Sequence, residues 1–171
     1  MVYFDEVGNN YSYETIIYEE DIGEQIYRIE FDMAGIVYTG DGNSVIPMRE
    51  WNVVQAVYNK DQDFYNVDDS KITGLSPMKT YGCALRGLEE CFRYFIDDYE
   101  KFSIDLEEDD NVVIDTFYAG AADERRKNVY EKVLRKKNWI ESEYDGDWCM
   151  KKSFESVRVG DNIYTKEMDI A

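Results

Sequence analysis

Histidine is absent from this 171-residue chain, and cysteine and proline are scarce, with three and two residues. Without histidine there is no Ser-His-Asp or Cys-His catalytic pair and no His-ligated metal centre. The three cysteines, Cys83, Cys91 and Cys149, form neither an even set nor a metal-binding spacing. This argues against a disulfide framework or a zinc site and indicates a reducing cytosol. Chemistry is left to carboxylates, Tyr, Lys, Cys and backbone amides.

The chain also lacks a run of eighteen apolar residues, and its first residues, MVYFDEVGNN, are acidic where a signal peptide is basic and then apolar. We therefore expect a protein that neither spans a membrane nor follows that export route. Cationic residues are few: the chain has 19 Lys and Arg but 37 Asp and Glu, which gives a net charge of −18. Such a surface repels nucleic-acid phosphates, so we expect no direct nucleic-acid binding. It favours a basic protein partner, including one whose usual ligand is DNA.

An apolar content of 44% and an aromatic content of 15% predict a folded body with one hydrophobic core, at a length that suits one domain. The two prolines, Pro47 and Pro77, are expected in loops. An apolar stripe from Leu85 to Tyr99 recurs at helical intervals and predicts a helix. Segments dense in β-branched and aromatic residues predict strands at 11–19, 25–31, 34–39, 51–58, 72–75, 111–118, 148–153 and 162–167.

A second helix is predicted from Asp123 to Lys137, where seven cations occur in fifteen residues. Acidic residues at its start and basic residues at its end complement the helix dipole, which explains part of the basic cluster. Asp123, Arg126 and Tyr130 are spaced i, i+3 and i+7 and share one face. There they either form a hydrogen-bonded ladder or anchor the helix to the sheet.

The order of these elements resembles the second half of the GNAT acetyltransferase superfamily, and more closely a divergent GNAT-like domain found in bacteriophage proteins. The motifs are Ile72-Thr73-Gly74, the strand VVIDTF, and the D-x-x-R pair followed by Tyr130-Glu131-Lys132 and then the large apolar Trp139. The resemblance implies an α+β fold with a mixed, mostly antiparallel twisted sheet and two main helices. It divides the chain into an N-terminal segment 1–24, forming an extra strand or an arm, a GNAT-like domain 25–152, and a C-terminal strand and tail 153–171.

Acetylating members of that superfamily hold the pyrophosphate of acetyl-CoA on a loop of the form [QR]-x-x-G-x-[GA], which opens the long helix. The matching residues are Lys79, Gly82 and Ala84, with lysine where the family has Gln or Arg. Pro77 falls where the family's strand runs into this loop, which departs from the pattern. If acyl-CoA binds, the resemblance implies that Tyr130 protonates the leaving thiolate. Otherwise Tyr130 is a core tyrosine, and Asp115 is one of several carboxylates that could accept a proton from an amine.

The degraded loop leads us to expect a non-catalytic scaffold, without a cofactor, that binds a phage or host protein. The resemblance implies a location in the cytoplasm of an infected bacterium or in the virion. Two alternatives stay open: an acyl-CoA-dependent N-acetyltransferase, and a DNA mimic whose carboxylate rows at 19–24, 105–110 and 141–147 enter a DNA-binding groove.

Cys83 and the segment that begins at Asp61 carry two further signals. Cys83 is either a small buried side chain, which is the favoured interpretation, or a helix-start thiol with a lowered pKa. No metal site is predicted, because the calcium-like segment from Asp61 lacks the glycine and the final glutamate of a calcium loop.

Overall fold

The computed structural model describes residues 2–9, 11–39, 46–61, 77–97, 112–121 and 124–168. Their elements are β1 Val2–Asn9, β2 Tyr11–Ile22, β3 Gln25–Thr39, β4 Ile46–Asn59, α1 Pro77–Asp97, β5 Val112–Gly120, α2 Glu124–Arg135, β6 Ile140–Tyr144, β7 Asp147–Val159 and β8 Asn162–Glu167. The strands form a mixed sheet in the order β1-β2-β3-β4-β5-β7-β6, and β8 pairs with β7. The predicted α+β class, with a mixed, mostly antiparallel sheet and two helices, is confirmed for these residues.

The chain divides into two compact units, residues 1–32 with 54–98 and residues 33–53 with 99–171. In the first unit β1 pairs antiparallel with β2, and β2 pairs antiparallel with β3. The N-terminal segment, for which a strand and an arm were both open, therefore contributes strands to the sheet. The domain boundaries proposed at residues 24 and 152 stay predictions.

Helix α1 covers one face of the first unit's strands. Its apolar stripe meets the side chains that β2 and β3 direct to the same face, and Phe92 packs against Phe31 with ring centroids 4.8 Å apart. The strand face and the helix together make a closed apolar core, because every second strand residue points to one side of a sheet. The core side chains with the least exposure in this unit are Ile16, Tyr27, Ile29, Phe31, Cys91 and Phe95.

Both proline predictions are wrong. Pro47 is the second residue of β4, where a missing ladder hydrogen bond near a strand start is tolerated. Pro77 is the first residue of α1, where its missing N–H costs nothing and its fixed φ suits a helix. The helix therefore begins well before Leu85. The segments at 25–31 and 34–39, predicted as two strands, are one continuous strand, β3, while the strand predicted at 72–75 lies outside the described residues.

The two glycines of α1 predict opposite effects of alanine. A Cβ at Gly87 would lie 2.7 Å from Ile29 Cδ1 and 2.9 Å from Tyr18 Cδ1, whereas one at Gly82 has Arg86 Nη1 as its nearest neighbour at 3.4 Å. Because Ile29 and Tyr18 are buried, we expect Gly87→Ala to lower the free energy of unfolding by about 1–3 kcal/mol through overpacking. Gly82→Ala should raise it by about 0.5–1 kcal/mol through helix propensity. Urea unfolding of the two variants checks this, and a Gly87→Ala variant as stable as Gly82→Ala would contradict the packing described.

The second unit is built around β5, whose apolar sequence predicted an interior strand. β5 pairs parallel with β4 on one side and antiparallel with β7 on the other, so the prediction is confirmed. Phe117 on β5 stacks on Trp51 of β4 at 5.4 Å and meets the edge of Phe154 of β7 at 5.8 Å. These three rings are almost fully buried and form the centre of this unit's core.

Helix α2 ends through a left-handed residue. Asn138 has φ 66°, a conformation that asparagine adopts more readily than most residues. The chain then turns back, and the Trp139 N–H donates to the Leu134 carbonyl oxygen at 3.0 Å. This turn buries Trp139 beside Val133 and Leu134 of α2, which are also buried. The predicted helix from Asp123 to Lys137 is thus observed as Glu124–Arg135.

Candidate functional site

Strands β6 and β7 form a hairpin that carries four carboxylates in seven residues. Its two-residue turn is Asp145-Gly146, with Tyr144 paired to Asp147, and both turn residues have positive φ, 51° and 84°. These angles belong to a type I′ turn, the tightest way to reverse an antiparallel pair. We call this element the acidic hairpin; its exposed carboxylates are Glu141, Glu143, Asp145 and Asp147.

Basic side chains of α2 hold the acidic hairpin on one face. Arg135 Nη2 donates to Glu131 Oε1 and to Glu141 Oε2, both at 2.9 Å. The second oxygen of Glu141 accepts the indole N–H of Trp148 at 2.8 Å, and Lys127 Nζ lies 5.2 Å from the centre of the Trp148 ring. Part of the basic cluster of α2 therefore orients the hairpin, in addition to complementing the helix dipole.

The opposite face of the hairpin is held by tyrosines. Tyr144 donates its hydroxyl to Glu50 Oε2 at 3.2 Å, and its ring lies 4.8 Å from that of Tyr118. Burial, reinforced by the Glu50 charge, raises the pKa of Tyr144, so the phenol stays protonated and remains a donor. With contacts on both faces, the acidic hairpin is fixed in position relative to β4, β5 and α2.

Several arginines are paired within the chain, in contrast to the exposed carboxylates of the acidic hairpin. Five arginines of the described residues form ion pairs with carboxylates of the same chain: Arg28, Arg49, Arg86, Arg93 and Arg135. Because the chain has 37 carboxylates for 19 cations, the charge left for the solvent-facing surface is acidic.

Two carboxylates of the row predicted at 19–24 are engaged within the chain. Glu19 accepts from Arg28 at 2.8 Å, and Glu20 accepts from Arg86 at 2.8 Å. The row predicted at 105–110 lies outside the described residues. Of the three predicted rows, the acidic hairpin is therefore the one that the described structure presents as a set of exposed carboxylates.

A charged cluster lies on the first unit's strands, on the face opposite α1. Arg28, Glu30 and Asp32 occupy alternate positions of β3, and Arg28 Nε donates to Glu30 Oε1 at 2.7 Å. Tyr58 donates to Glu19 Oε1 at 3.4 Å, next to Arg28. Burial, with Glu30 beside it, raises the pKa of Asp32 from 3.8 to about 6. One cation thus faces three carboxylates, and protonation of Asp32 lowers their mutual repulsion.

Asp115, considered as a proton acceptor, has a structural role. It is 0% exposed, and its Oδ1 accepts from Arg49 Nε at 2.7 Å and from Trp51 Nε1 at 2.8 Å, while Oδ2 accepts from Arg49 Nη2 at 3.1 Å. A carboxylate enclosed in this way is a fixed ion-pair partner that joins β4 to β5. Its place beside Arg49 follows from the parallel register, in which the two residues are partners.

The residues predicted to hold acyl-CoA do not form an open loop. Lys79, Gly82 and Ala84 lie in the N-terminal part of α1, which begins before them at Pro77. An α-helix that starts at Pro77 commits its N–H groups from about Tyr81 onward to carbonyls four residues earlier. The Gly82 and Ala84 amides are therefore used inside the helix, and acyl-CoA binding by these residues stays a prediction.

The predicted ladder on α2 is described only at its last member. Tyr130 is half-buried on α2, while Asp123 and the side chain of Arg126 lie outside the described residues. Both roles considered for Tyr130, the acid of an acetyltransferase and a packed tyrosine, stay predictions.

Cys83 is a buried thiol with a raised pKa. Burial is the main cause and the Glu20 charge adds to it, which together outweigh the opposing effect of Arg86. The alternative of a lowered pKa is wrong, because the thiol lies inside the packed helix where the thiolate loses its solvation. Cys91 and Cys149 are buried as well.

Searches of the described residues for other sites give two results. They contain no group of three or more Cys, Asp or Glu side chains placed to hold a metal ion. No helix among them has both the length and the apolar character that a bilayer crossing requires. A comparison with protein-family models finds none that matches, and comparisons with curated proteins and with solved structures give no match either.

The sequence analysis did not predict β6 or the Arg28 cluster, by which we mean Arg28, Glu30 and Asp32 of β3 with Glu19 of β2. The sequence nevertheless contains a pattern typical of each. The Asp145-Gly146 pair between alternating residues is a common type I′ hairpin sequence and could have located β6. Arg28, Glu30 and Asp32 alternate with three apolar residues, which marks a single charged face of β3. The local sequence does not predict that this charged face is buried, because polar positions of a strand are ordinarily expected to face solvent.

Proposed function

We propose that the protein is a non-catalytic, phage-encoded binding scaffold that uses the acidic hairpin to engage a basic surface of a phage or host protein. The observation that carries the proposal is the set of four exposed carboxylates on one tight turn, held on both faces by α2 and by Tyr144. A charged surface that is already ordered loses little conformational freedom on binding. The GNAT-like assignment is part of this proposal, and the mixed sheet with two helices is compatible with it.

The placement of Lys79, Gly82 and Ala84 within α1 supports a scaffold over an acetyltransferase. Acetyl-CoA tests this directly, because a ligand that binds only the folded protein raises its melting temperature. We expect no shift at millimolar acetyl-CoA. A reproducible rise would favour the enzyme and count against the proposal.

The hairpin itself is tested by removing its charge at constant shape. The triple variant Glu143→Gln, Asp145→Asn, Asp147→Asn neutralises three exposed carboxylates and leaves Glu141 on Arg135 and Trp148. Its matched control, Asp61→Asn, Asp97→Asn, Asp161→Asn, removes the same charge from exposed positions elsewhere. Immobilised wild-type and variant proteins are exposed to a bacterial lysate at rising salt. We expect captured basic proteins to elute as salt rises, because exposed charges are screened.

Only the hairpin variant, and not the control variant, should lose the captured protein. We expect the hairpin variant to retain about tenfold less of the captured protein than wild type, which corresponds to about 0.5 kcal/mol for each interface charge. The control should retain nearly the wild-type amount. Equal losses in both variants would show a general charge effect and reject the hairpin as the interface. Release of the captured protein by duplex DNA would identify its DNA-binding surface as the target and favour the DNA mimic.

A further inference from the structure

Within the described part of the chain, strand β8 has one edge that no other strand pairs with. Among the described residues it pairs with β7 alone, in antiparallel register. The Met168 N–H donates to the Ser153 carbonyl oxygen at 2.9 Å, which fixes the even-numbered residues of β8 as those bonded to β7. The N–H and C=O groups of Ile163, Thr165 and Glu167 therefore point away from β7. Such a row is a ready template for another strand.

The two most exposed large apolar side chains of the described residues lie at this edge. Tyr164 on β8 is 61% exposed, and Val159 at the end of β7 is 55% exposed. Tyr164 is the register partner of Val157, so these three side chains share one face of the sheet. Apolar exposure concentrated beside an open strand edge is typical of an association surface.

The charge of this edge differs from that of the chain. Residues 154–167, which comprise β8 and the part of β7 that pairs with it, carry two basic and three acidic side chains, a net charge of −1, whereas the whole chain carries −18. Two copies of so acidic a protein repel each other over most approaches. The β7–β8 edge is a surface on which that repulsion is small.

We infer that a second copy of this chain pairs with the first through antiparallel β8 strands, with the twofold axis at Tyr164. Only registers that oppose the outward-facing residues Ile163, Thr165 and Glu167 form a ladder, so the axis falls at one of the residues from 163 to 167. An axis at 164 places the two Tyr164 rings side by side at a closely spaced, non-hydrogen-bonded position. It also places Ile163 opposite Thr165 of the second copy.

The other registers are less favourable. An axis at 163 sets Tyr164 against Asn162 of the second copy, and an axis at 165 sets it against Lys166. An axis at 166 sets Lys166 against Lys166, and an axis at 167 sets Glu167 against Glu167, and like charges directly opposite each other are destabilising. The register centred on Tyr164 instead joins Val157, Val159 and Tyr164 of both copies into one apolar strip across the axis. Cross-strand aromatic and β-branched pairs of this kind stabilise antiparallel sheets. This inference does not depend on the proposed function, because β8 is separate from the acidic hairpin.

Salt separates this association from binding at the acidic hairpin. Raising the salt from 0.1 M to 1 M shortens the screening length from about 10 Å to about 3 Å, which weakens repulsion between the two acidic copies. Sedimentation velocity of the purified chain should show a monomer–dimer equilibrium that shifts toward twice the monomer mass as salt rises. Binding of a basic partner shifts the opposite way. A monomer at every concentration and salt would mean that the edge serves another protein's strand or none, and would overturn the inference.

A matched pair of variants locates the contact. Tyr164→Glu places two like charges at the axis, whereas Val129→Glu adds the same charge at an exposed apolar position of α2. We expect Tyr164→Glu to raise the dimer dissociation constant at least about tenfold, and Val129→Glu to leave it within about twofold, with both variants showing wild-type circular dichroism. Hydrogen exchange of the wild-type dimer needs no variant: the amides of Ile163 and Thr165, which face each other across the axis, should gain protection. A dimer in which those amides exchange as in the monomer would place the contact elsewhere and reject the inference.

Discussion

An Asp115→Ala variant is expected to lose about 3–5 kcal/mol of the free energy of unfolding, a large share of the roughly 5–15 kcal/mol that keeps a domain folded. Asp115 is 0% exposed and Arg49 is 4% exposed. Removal of the carboxylate deprives the buried Arg49 guanidinium and the Trp51 indole N–H of the acceptor that they share. The free energy of unfolding falls because the Arg49 guanidinium stays buried without the carboxylate that balances its charge. Urea unfolding with fluorescence detection measures it, because urea leaves ionic strength unchanged.

Two controls separate this effect from a general loss of ion pairs. Arg93→Ala removes the exposed pairs with Glu89 and Glu90 on α1 and should change stability by no more than about 0.5 kcal/mol. The double variant Arg49→Leu, Asp115→Leu should be more stable than Asp115→Ala, since neither charge then remains buried. If Asp115→Ala cost less than Arg93→Ala, the pair would not be enclosed as the structure has it.

Asp32→Asn is expected to stabilise the protein more at pH 8 than at pH 5. The pKa of Asp32 is raised from 3.8 to about 6 by burial and by Glu30, against the opposing effects of Thr15 and Arg28. The folded state therefore holds this proton more tightly than the unfolded state. Its contribution to stability is fully present below about pH 4 and is lost as pH rises through about 6. Above that, the ionised carboxylate costs about 1–2 kcal/mol, after allowance for its partial exposure to solvent.

The measurement is urea unfolding of wild type and Asp32→Asn at pH 5 and pH 8. The asparagine is neutral at both pH values, so the difference between the two proteins should grow by about 0.5–1 kcal/mol from pH 5 to pH 8, the rest of the cost arising below pH 5. Asp61→Asn, which replaces an exposed carboxylate of the same unit, is the matched control and should show no such growth. An Asp32→Asn variant that tracks wild type at both pH values would show that the Arg28 cluster is open to solvent.

The elements predicted from local pattern were those with one strong periodic signal. Apolar residues at helical spacing predicted both helices, and the apolar run in VVIDTFY predicted the interior strand β5. Prolines were misplaced because the same residue suits a loop, a helix start and a strand start. Local sequence does not distinguish these positions, whereas the partners of the neighbouring backbone groups do.

For the site residues too, the sequence predicts their types and positions but not their contacts. The carboxylates of the acidic hairpin and the cations of α2 are visible in the sequence, yet their contact through Arg135 and Glu141 requires the helix to end and turn at Asn138. At the predicted phosphate-binding residues, the sequence matches a motif whose backbone conformation the structure does not show. Lys79, Gly82 and Ala84 match a short pattern closely, but the helix that starts at Pro77 uses the amides that the pattern needs.

By itself the sequence determined the acidic balance, the lack of histidine chemistry, the α+β class and the amphipathic helices, because composition and periodicity act within a few residues of each position. The tertiary structure decided which charges are buried and which are presented. Arg49 and Asp115 stand 66 positions apart and meet only through the parallel register of β4 and β5. A charge in the interior is stable only beside a partner, and the fold alone brings distant partners together.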